Sequence, residues 1–147
     1  MEKQKINNQD VVCVSGGFDP IHIGHVRMIK DAAKFGAVIV IANSDEWLMR
    51  KKGYVFMPYN ERQEILYSIK GVVDVFKGLD DDGTVCENLK IINPHIFANG
   101  GDRGNTNTPE MDTCKEFEIQ MVWGMGGNDK PQSSSWLVDT HRNRTKE

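Results

Sequence analysis

The sequence predicts a single α/β domain with a doubly wound, mainly parallel sheet. Short apolar runs alternate with helix-like segments along almost the whole chain of 147 residues. One run, AVIVIAN at residues 37–43, is almost wholly apolar, as strands buried on both faces of a parallel sheet are. Such alternation favours right-handed crossovers and places ligands at the carboxyl ends of the strands. We therefore expect a Rossmann-like domain over residues 1–147, with residues 1–10 and 141–147 loose.

The first strands and helices follow from local pattern. A β-branched run at Val11 to Val14 predicts a strand. His25 to Phe35 has apolar side chains at helical spacing, and Gly36 is a typical helix stop. After the second strand, Ser44 is suited to cap a short segment.

The second half of the chain continues the alternation. After Asn60, the segment ERQEILYSI places Ile65, Leu66 and Ile69 on one helical face. Further elements follow in the order VVDVF, the helix-compatible TVCENLKII, the strand HIFANG, the helix PEMDTCKEF and the strand IQMVW.

Composition excludes several classes of protein. Hydrophobic residues make up 39% and charged residues 27%, as in soluble globular chains. A formal net charge of −3 without a long basic block argues against nucleic acid or an anionic membrane as partner. No run approaches the roughly 18 apolar residues of a membrane span, and the first ten residues lack an apolar signal region. Three cysteines without CxxC spacing suit a reducing compartment, so we expect a cytoplasmic protein.

A glycine pair lies where the first strand gives way to the first helix. Gly16 and Gly17 allow an anion to approach the backbone, while the helix amino end supplies N–H donors and a partial positive charge. His22 and His25 follow at the mouth of that helix, and Gly24 leaves room for a base or ribose. The pattern is neither GxGxxG nor a Walker loop, and two histidines without a third ligand make a poor zinc site. Either histidine alone is more often a cap or a packed residue, but together with the glycines they indicate an anion site.

Further cations and hydroxyl donors come from two other segments. Lys51 and Lys52 lie in RKKGYVFMP, residues 50–58, which we expect to be a loose basic loop, and Arg62 lies on the helix that follows. The run at Ser133, Ser134 and Ser135 opens a last helix as caps or phosphate donors. The bland alternatives are a solvated basic turn and a plain helix cap.

Three motifs together resemble a known superfamily. GGFDPIHIGH is similar to the signature of the HxGH nucleotidyltransferases, KKGYVFMPYNER resembles their basic loop and following helix, and PQSSSWLV resembles their late serine/threonine motif. FANGGDRGNTNTPEMD resembles the GGD loop of the cytidylyltransferase-like subgroup that activates sugar or polyol phosphates.

The resemblance implies transfer of a nucleoside monophosphate from CTP or ATP to a sugar or polyol phosphate, with release of pyrophosphate. The alternatives are adenylyl transfer to a cofactor phosphate, such as phosphopantetheine or nicotinate mononucleotide, and a non-catalytic nucleotide-binding protein of the same fold. Asn128 stands where the glycerol-3-phosphate enzymes of the family carry an arginine, whereas FDP and SSSWLV favour adenylyl transfer, so the base stays open. Mg²⁺ is expected to arrive with the triphosphate, and a homodimer or larger homo-oligomer is expected.

Pattern and resemblance together assign roles to fifteen positions, with no residue assigned to metal. The expected catalytic residues are His22, His25 and Lys51. The expected substrate-binding residues are Asp19, Lys52 and Arg62, and whether Asp19 orients the backbone or touches metal stays open. Nucleotide contacts are expected from Gly16, Gly17, Phe18, Gly24, Gly101, Asp102, Ser133, Ser134 and Ser135.

Overall fold

The computed structural model of the chain describes residues 3–79, 83–100, 109–127 and 137–139. Within these ranges strands and helices alternate, apart from two consecutive helices after the second strand, and residues 137–139 are helical. In chain order the elements are β1 (Val11–Gly16), α1 (Ile23–Ala32), β2 (Ala37–Ala42), α2 (Asp45–Lys52), α3 (Tyr59–Tyr67), β3 (Val72–Lys77), α4 (Cys86–Ile92), β4 (Ile96–Ala98), α5 (Pro109–Glu116) and β5 (Gln120–Val122).

The five strands form one parallel sheet in the order β3-β2-β1-β4-β5. This confirms the expected doubly wound α/β fold. The chain winds outward from β1 to β3 on one side and then from β4 to β5 on the other. The strand order therefore reverses between β1 and β4, and ligands of such sheets bind at this reversal, outside the carboxyl ends of the strands.

Both faces of the sheet are covered by apolar residues. Val12 and Val14 of β1 belong to one buried cluster, whereas Val11 and Cys13 belong to the other. Since successive side chains of a strand point to opposite faces, each face of β1 has its own core. The same alternation in β2 explains why its run is almost wholly apolar.

The basic segment differs from the expectation of a loose loop. Arg50, Lys51 and Lys52 form the last turn of α2, which ends at Gly53 with φ of 84°. Cationic residues at a carboxyl end are favourable to the helix dipole, and glycine adopts this left-handed conformation without strain. At the other end, Ser44 caps α2 as expected, its Oγ accepting the N–H of Trp47 at 3.1 Å.

The buried face of α3 also differs from the expectation. Leu66 is fully buried, but Ile65 is 41% exposed and Arg62 is fully buried in its place. Arg62 and Leu66 are four residues apart, so they share one helical face. A charged residue occupies the core side because its guanidinium finds hydrogen-bond partners there, as described below.

The segment before β1 is attached to the residues that follow α4 and α5. Lys3 Nζ donates to the carbonyl oxygen of Phe117 at 2.8 Å and also to the side chain of Asn93. Across the residues that the structure describes, no helix has both the length and the apolar character needed to cross a bilayer.

Candidate active site

His22 and His25 lie together at the amino end of α1, directly after the turn that follows β1. His22 is the N-cap residue, and its Nδ1 accepts the N–H of Gly24 at 3.0 Å. His25 Nδ1 accepts the N–H of His22 at 3.2 Å, which completes a reciprocal capping box. The two rings stack, with centroids 3.9 Å apart and planes inclined by 24°.

The backbone contacts fix which ring nitrogen carries the proton. Because Nδ1 of each histidine accepts an N–H, the proton of each neutral ring is on Nε2. Each ring therefore has an N–H donor at Nε2. No acidic residue lies in the first turn of α1, so no carboxylate there offsets the positive end of the helix dipole. This arrangement suits an anion.

Phe18 belongs to the buried core and packs against His25. Its side chain is buried, and its ring meets that of His25 edge-on with centroids 4.7 Å apart. A Cβ on Gly16 would stand 3.3 Å from the Phe18 ring, so the absent side chain lets the ring pack close to β1. Phe18 has a φ of 53°, a conformation that bulky residues rarely adopt. Its side chain thus packs in the core, and the nucleotide contact expected of Phe18 stays a prediction.

Asp19 is fully buried next to this turn. Its carboxylate accepts the N–H groups of Phe56, at 2.8 Å, and of Met57. Lys52 Nζ donates to the backbone carbonyl of Asp19 at 3.0 Å. Both oxygens of the carboxylate are therefore engaged with backbone N–H groups of the segment between α2 and α3.

Arg62 lies on the other side of the same segment. Its Nε donates to the carbonyl of Met57 at 2.9 Å, and its Nη1 donates to the carbonyls of Gly17 at 2.8 Å and Asn43 at 2.7 Å. Nη2 forms an ion pair with Asp45 at 2.8 Å. All four of these acceptors are protein groups, and the Arg62 side chain is fully buried.

Of the two expected lysines, Lys51 is exposed and Lys52 is half-buried. The ammonium of Lys52 lies 5.6 Å from the centroid of the Tyr54 ring, in addition to its contact with Asp19. Lys51 is thus the more accessible cation at the carboxyl end of α2.

These observations can be set beside known proteins. A sequence profile of the cytidylyltransferase-like family matches residues 13–125, which run from within β1 into the loop after β5. The chain belongs to the cytidylyltransferase-like family. The match includes the glycine turn, both histidines and the segment between α2 and α3 that is hydrogen-bonded to Asp19 and Arg62.

Several named relatives of this cytidylyltransferase-like chain are enzymes. D-beta-D-heptose 1-phosphate adenylyltransferase from Bordetella bronchiseptica is 32% identical over 117 residues, or 78% of this chain and 68% of that protein. FAD synthase from Thermococcus kodakarensis is 34% identical over 95 residues, or 63% of this chain and 62% of that protein. The bifunctional protein HldE from Aliarcobacter butzleri is 27% identical over 119 residues, which are 78% of this chain but only 25% of that protein. The chain therefore spans about a quarter of the length of this bifunctional relative.

Solved structures agree on the fold. The lipopolysaccharide core biosynthesis protein from Thermoplasma volcanium superposes with a TM-score of 0.64 at 21% identity, covering 79% of this chain and 96% of that one. At this identity the likeness bears on the fold alone.

Five of the expected nucleotide contacts in this cytidylyltransferase-like chain lie outside the described residues. They are Gly101, Asp102, Ser133, Ser134 and Ser135. The described neighbours of the first two are Asn99 and Gly100, which follow β4 and so lie across the strand reversal from the glycine turn. Their roles stay predictions.

Sequence reasoning missed a contact between α1 and the loop after β5. The carboxylate of Asp31 accepts the N–H of Gly126 at 2.7 Å and pairs with Lys34 at 3.1 Å. The Gly126 hydrogen bond, followed by that of Lys34, lowers the pKa of Asp31. A Cβ on Gly126 would stand 3.3 Å from the backbone nitrogen of Met28, so glycine allows this close approach. The signal in the sequence was the glycine-rich GMGG at residues 124–127.

The expected Mg²⁺ can be tested against the side chains present. Within the described ranges no three His, Cys, Asp or Glu side chains are grouped so that they could hold a metal ion. The carboxylate nearest the glycine turn along the chain, that of Asp19, has both oxygens engaged with N–H groups. An Mg²⁺ ion here would therefore have to be held mainly by phosphate oxygens and water, as Mg²⁺ commonly is, and its presence stays a prediction.

Proposed function

We propose that this chain transfers an adenylyl group from ATP to a sugar 1-phosphate, releasing pyrophosphate. The choice of substrate is supported by the 32% identity to a heptose 1-phosphate adenylyltransferase over more than two thirds of that protein. The site supports the reaction type, because two histidine donors and a helix amino end converge where an anion would bind.

The reaction requires little covalent help from the protein. An oxygen of the acceptor phosphate attacks the α-phosphorus of ATP, a new P–O bond forms, and pyrophosphate leaves with the electrons of the broken bond. A phosphate monoester has a second pKa of about 6 and is largely dianionic at neutral pH, so no general base is needed. The protein must instead hold several anionic groups in line and stabilise charge on the transferring phosphoryl group.

The residues of the chain match that requirement. Nε2 of His22 and of His25 would donate to phosphate oxygens, while the amino end of α1 adds N–H groups and positive potential. Lys51, exposed at the end of α2, would approach the phosphates of either substrate. Mg²⁺, when bound with the triphosphate, would supply neutralising charge.

A second candidate has its own support. The identity to FAD synthase is 34%, and it covers 62% of that protein. FAD is flavin mononucleotide joined to AMP, so its acceptor is also a phosphate monoester. Adenylyl transfer to a flavin or another cofactor phosphate is therefore the alternative.

The test is pyrophosphate release with Mg²⁺ over a grid of donors and acceptors. ATP, CTP, GTP and UTP would each be combined with heptose 1-phosphate, glycerol 3-phosphate, flavin mononucleotide, nicotinate mononucleotide and phosphopantetheine. The proposal predicts signal with ATP and the sugar phosphate, whereas signal with flavin mononucleotide would favour the second candidate. No release in any combination, with triphosphates still bound, would favour a non-catalytic nucleotide-binding protein. Sedimentation of the same sample would test the expected homo-oligomer.

A further inference from the structure

Two buried charged side chains, those of Asp19 and Arg62, both form hydrogen bonds with the backbone of Met57. Asp19 and Arg62 are both 0% exposed. The carboxylate of Asp19 accepts the N–H of Met57 and, at 2.8 Å, that of Phe56, while Nε of Arg62 donates to the carbonyl of Met57 at 2.9 Å. The loop of residues 53–58, between α2 and α3, is thus held through its N–H groups by an anion and through a carbonyl by a cation.

Each charged residue also connects this loop to the edge of the sheet. Asp19 is itself part of the turn after β1, three residues before His22. Arg62 donates to the carbonyls of Gly17 and Asn43, which follow β1 and β2, and to the carboxylate of Asp45 at the start of α2. The loop, the glycine turn and the beginning of α2 are therefore joined through two side chains.

Burying a charge is unfavourable unless hydrogen bonds replace its water. Both hydrogen bonds to the Asp19 carboxylate come from the loop, so the burial of this charge depends on the loop keeping its present position. Arg62 has one of its four acceptors, the Met57 carbonyl, on the loop. The planar guanidinium reaches four acceptors at once, which a lysine ammonium with three donors at a single nitrogen does not. Opening the loop would take hydrogen bonds away from these buried charges. We therefore expect this loop to open less readily than an exposed loop does.

We propose that Asp19 and Arg62 are positioning residues that clamp the 53–58 loop onto the glycine turn. Gly53 ends α2 directly after Lys51 and Lys52, so the clamp fixes the backbone next to these cations relative to the two histidines. Lys52 adds to it through the Asp19 carbonyl. The part of this inference that concerns Lys51 rests on the proposed function, while the clamp itself does not.

The clamp is tested first by hydrogen exchange, which needs no activity. Asp19→Asn keeps the shape of the side chain but presents an NH₂ group to one of the two backbone N–H donors. We expect the amides of Phe56 and Met57 to exchange at least about tenfold faster in this variant, since their acceptor is lost or weakened. Asp31→Asn is the matched control, because it makes the same change at a carboxylate that accepts the Gly126 N–H. It should speed exchange at Gly126 and leave Phe56 and Met57 unchanged. Unaltered exchange of Phe56 and Met57 in Asp19→Asn would overturn the clamp.

The kinetic arm separates positioning from direct contact with substrate. If Asp19 acts through the loop, Asp19→Asn lowers kcat about 10²-fold, the effect of misplacing a group by about 1 Å. Lys51→Ala should then add little to Asp19→Asn, because the lysine is already misplaced. Fully additive losses, together with a changed Mg²⁺ requirement for Asp19→Asn, would instead place the carboxylate on the metal or substrate and overturn the proposal.

Arg62→Lys provides an independent variant, since it keeps the positive charge but loses the fork. The clamp predicts faster exchange of the Phe56 and Met57 amides and little further loss of kcat when it is combined with Asp19→Asn. A raised KM for ATP or acceptor with normal loop exchange would show that Arg62 contacts a phosphate. Should Arg62→Lys fail to fold, the Asp19→Asn exchange result decides. If the parent protein shows no turnover, the exchange arm still tests the clamp, so the two failures are distinguishable.

Discussion

Single residues at the amino end of α1 have two tasks. His22 and His25 cap the helix through Nδ1, and this same contact puts the proton of each neutral ring on Nε2. Helix statistics favour serine, threonine, aspartate or asparagine as the cap residue, and none of these has an imidazole ring with a second nitrogen opposite the capping atom. Histidine at these two positions therefore supports the proposed anion site at this end of the helix.

His25→Ala is expected to lower turnover about 10²- to 10³-fold, the effect of removing one donor to a transition-state oxyanion. Steady-state pyrophosphate release would measure it. His95→Ala is the control: its Nδ1 also accepts a backbone N–H, that of Val11 at 2.9 Å, but it lies at the opposite, amino-terminal edge of the sheet. Equal turnover in His25→Ala and the parent would remove His25 from the mechanism.

Two cysteine thiols are predicted to be unreactive in the folded protein. Burial raises the pKa of Cys13, and it raises that of Cys114 to about 11. Since the thiolate is the reacting species, iodoacetamide at about pH 8 should label neither until the protein is unfolded. Mass spectrometry of labelled peptides would check this. Native-state labelling at the rate seen in urea would contradict the burial of both thiols.

The burial of Arg62 could not be predicted from the sequence pattern. Its position on a helix was correct, but a sequence pattern treats arginine as a surface residue and gave the apolar face to Ile65. The acceptors that allow its burial are on Gly17, Asn43 and Asp45, which are distant in sequence. Only tertiary structure brings them together.

At the scale of elements, boundaries were predictable where a cap residue marked them. Ser44 marked the start of α2. The first helix, expected over His25 to Phe35 with Gly36 as its stop, instead runs from Ile23 to Ala32. The end of α2 was missed because RKKG was taken as a loose basic loop, although cations followed by glycine are also the usual end of a helix. That misassignment put Lys51 and Lys52 in a loop when they lie on a helix.

The contact between α1 and the loop after β5 gives a pH-dependent prediction. The pKa of Asp31 is lowered from 3.8 by the Gly126 hydrogen bond and by Lys34. A depressed pKa means that the ionised carboxylate stabilises the folded state above the unfolded pKa, and this contribution is lost as the pH falls through the folded value. Asp31→Asn should therefore lower the urea midpoint at neutral pH, and its difference from the parent should shrink as the pH falls below 3.8. A loss of stability that stays constant as the pH falls would show that the effect of Asp31 does not come from its charge.

At the scale of the whole molecule, the parallel sheet was predictable and the strand order was not. Continuous apolar runs reflect burial on both faces, a property of each strand taken alone. Which strands lie side by side depends on crossover packing, and here it places the reversal between β1 and β4. The glycine turn was recognised from its sequence, but its place at that reversal came from the structure.

The location of the reversal predicts where a triphosphate binds. Titration with Mg²⁺ and a non-hydrolysable ATP analogue should shift amide signals at the carboxyl edge, including Gly17, Gly24 and Gly100. Amides at the amino-terminal edge, such as those of Asp10 and Gly71, should shift little. The converse pattern in heteronuclear NMR spectra would move the site to the other edge of the sheet.

The most direct test of adenylyl transfer is ³¹P NMR of the protein with ATP, Mg²⁺ and heptose 1-phosphate. Adenylyl transfer predicts equal growth of two products, inorganic pyrophosphate and a sugar diphosphate linked to adenosine, at the expense of both substrates. Consumption of ATP to ADP and phosphate, or no change in either substrate while ATP remains bound, would contradict it.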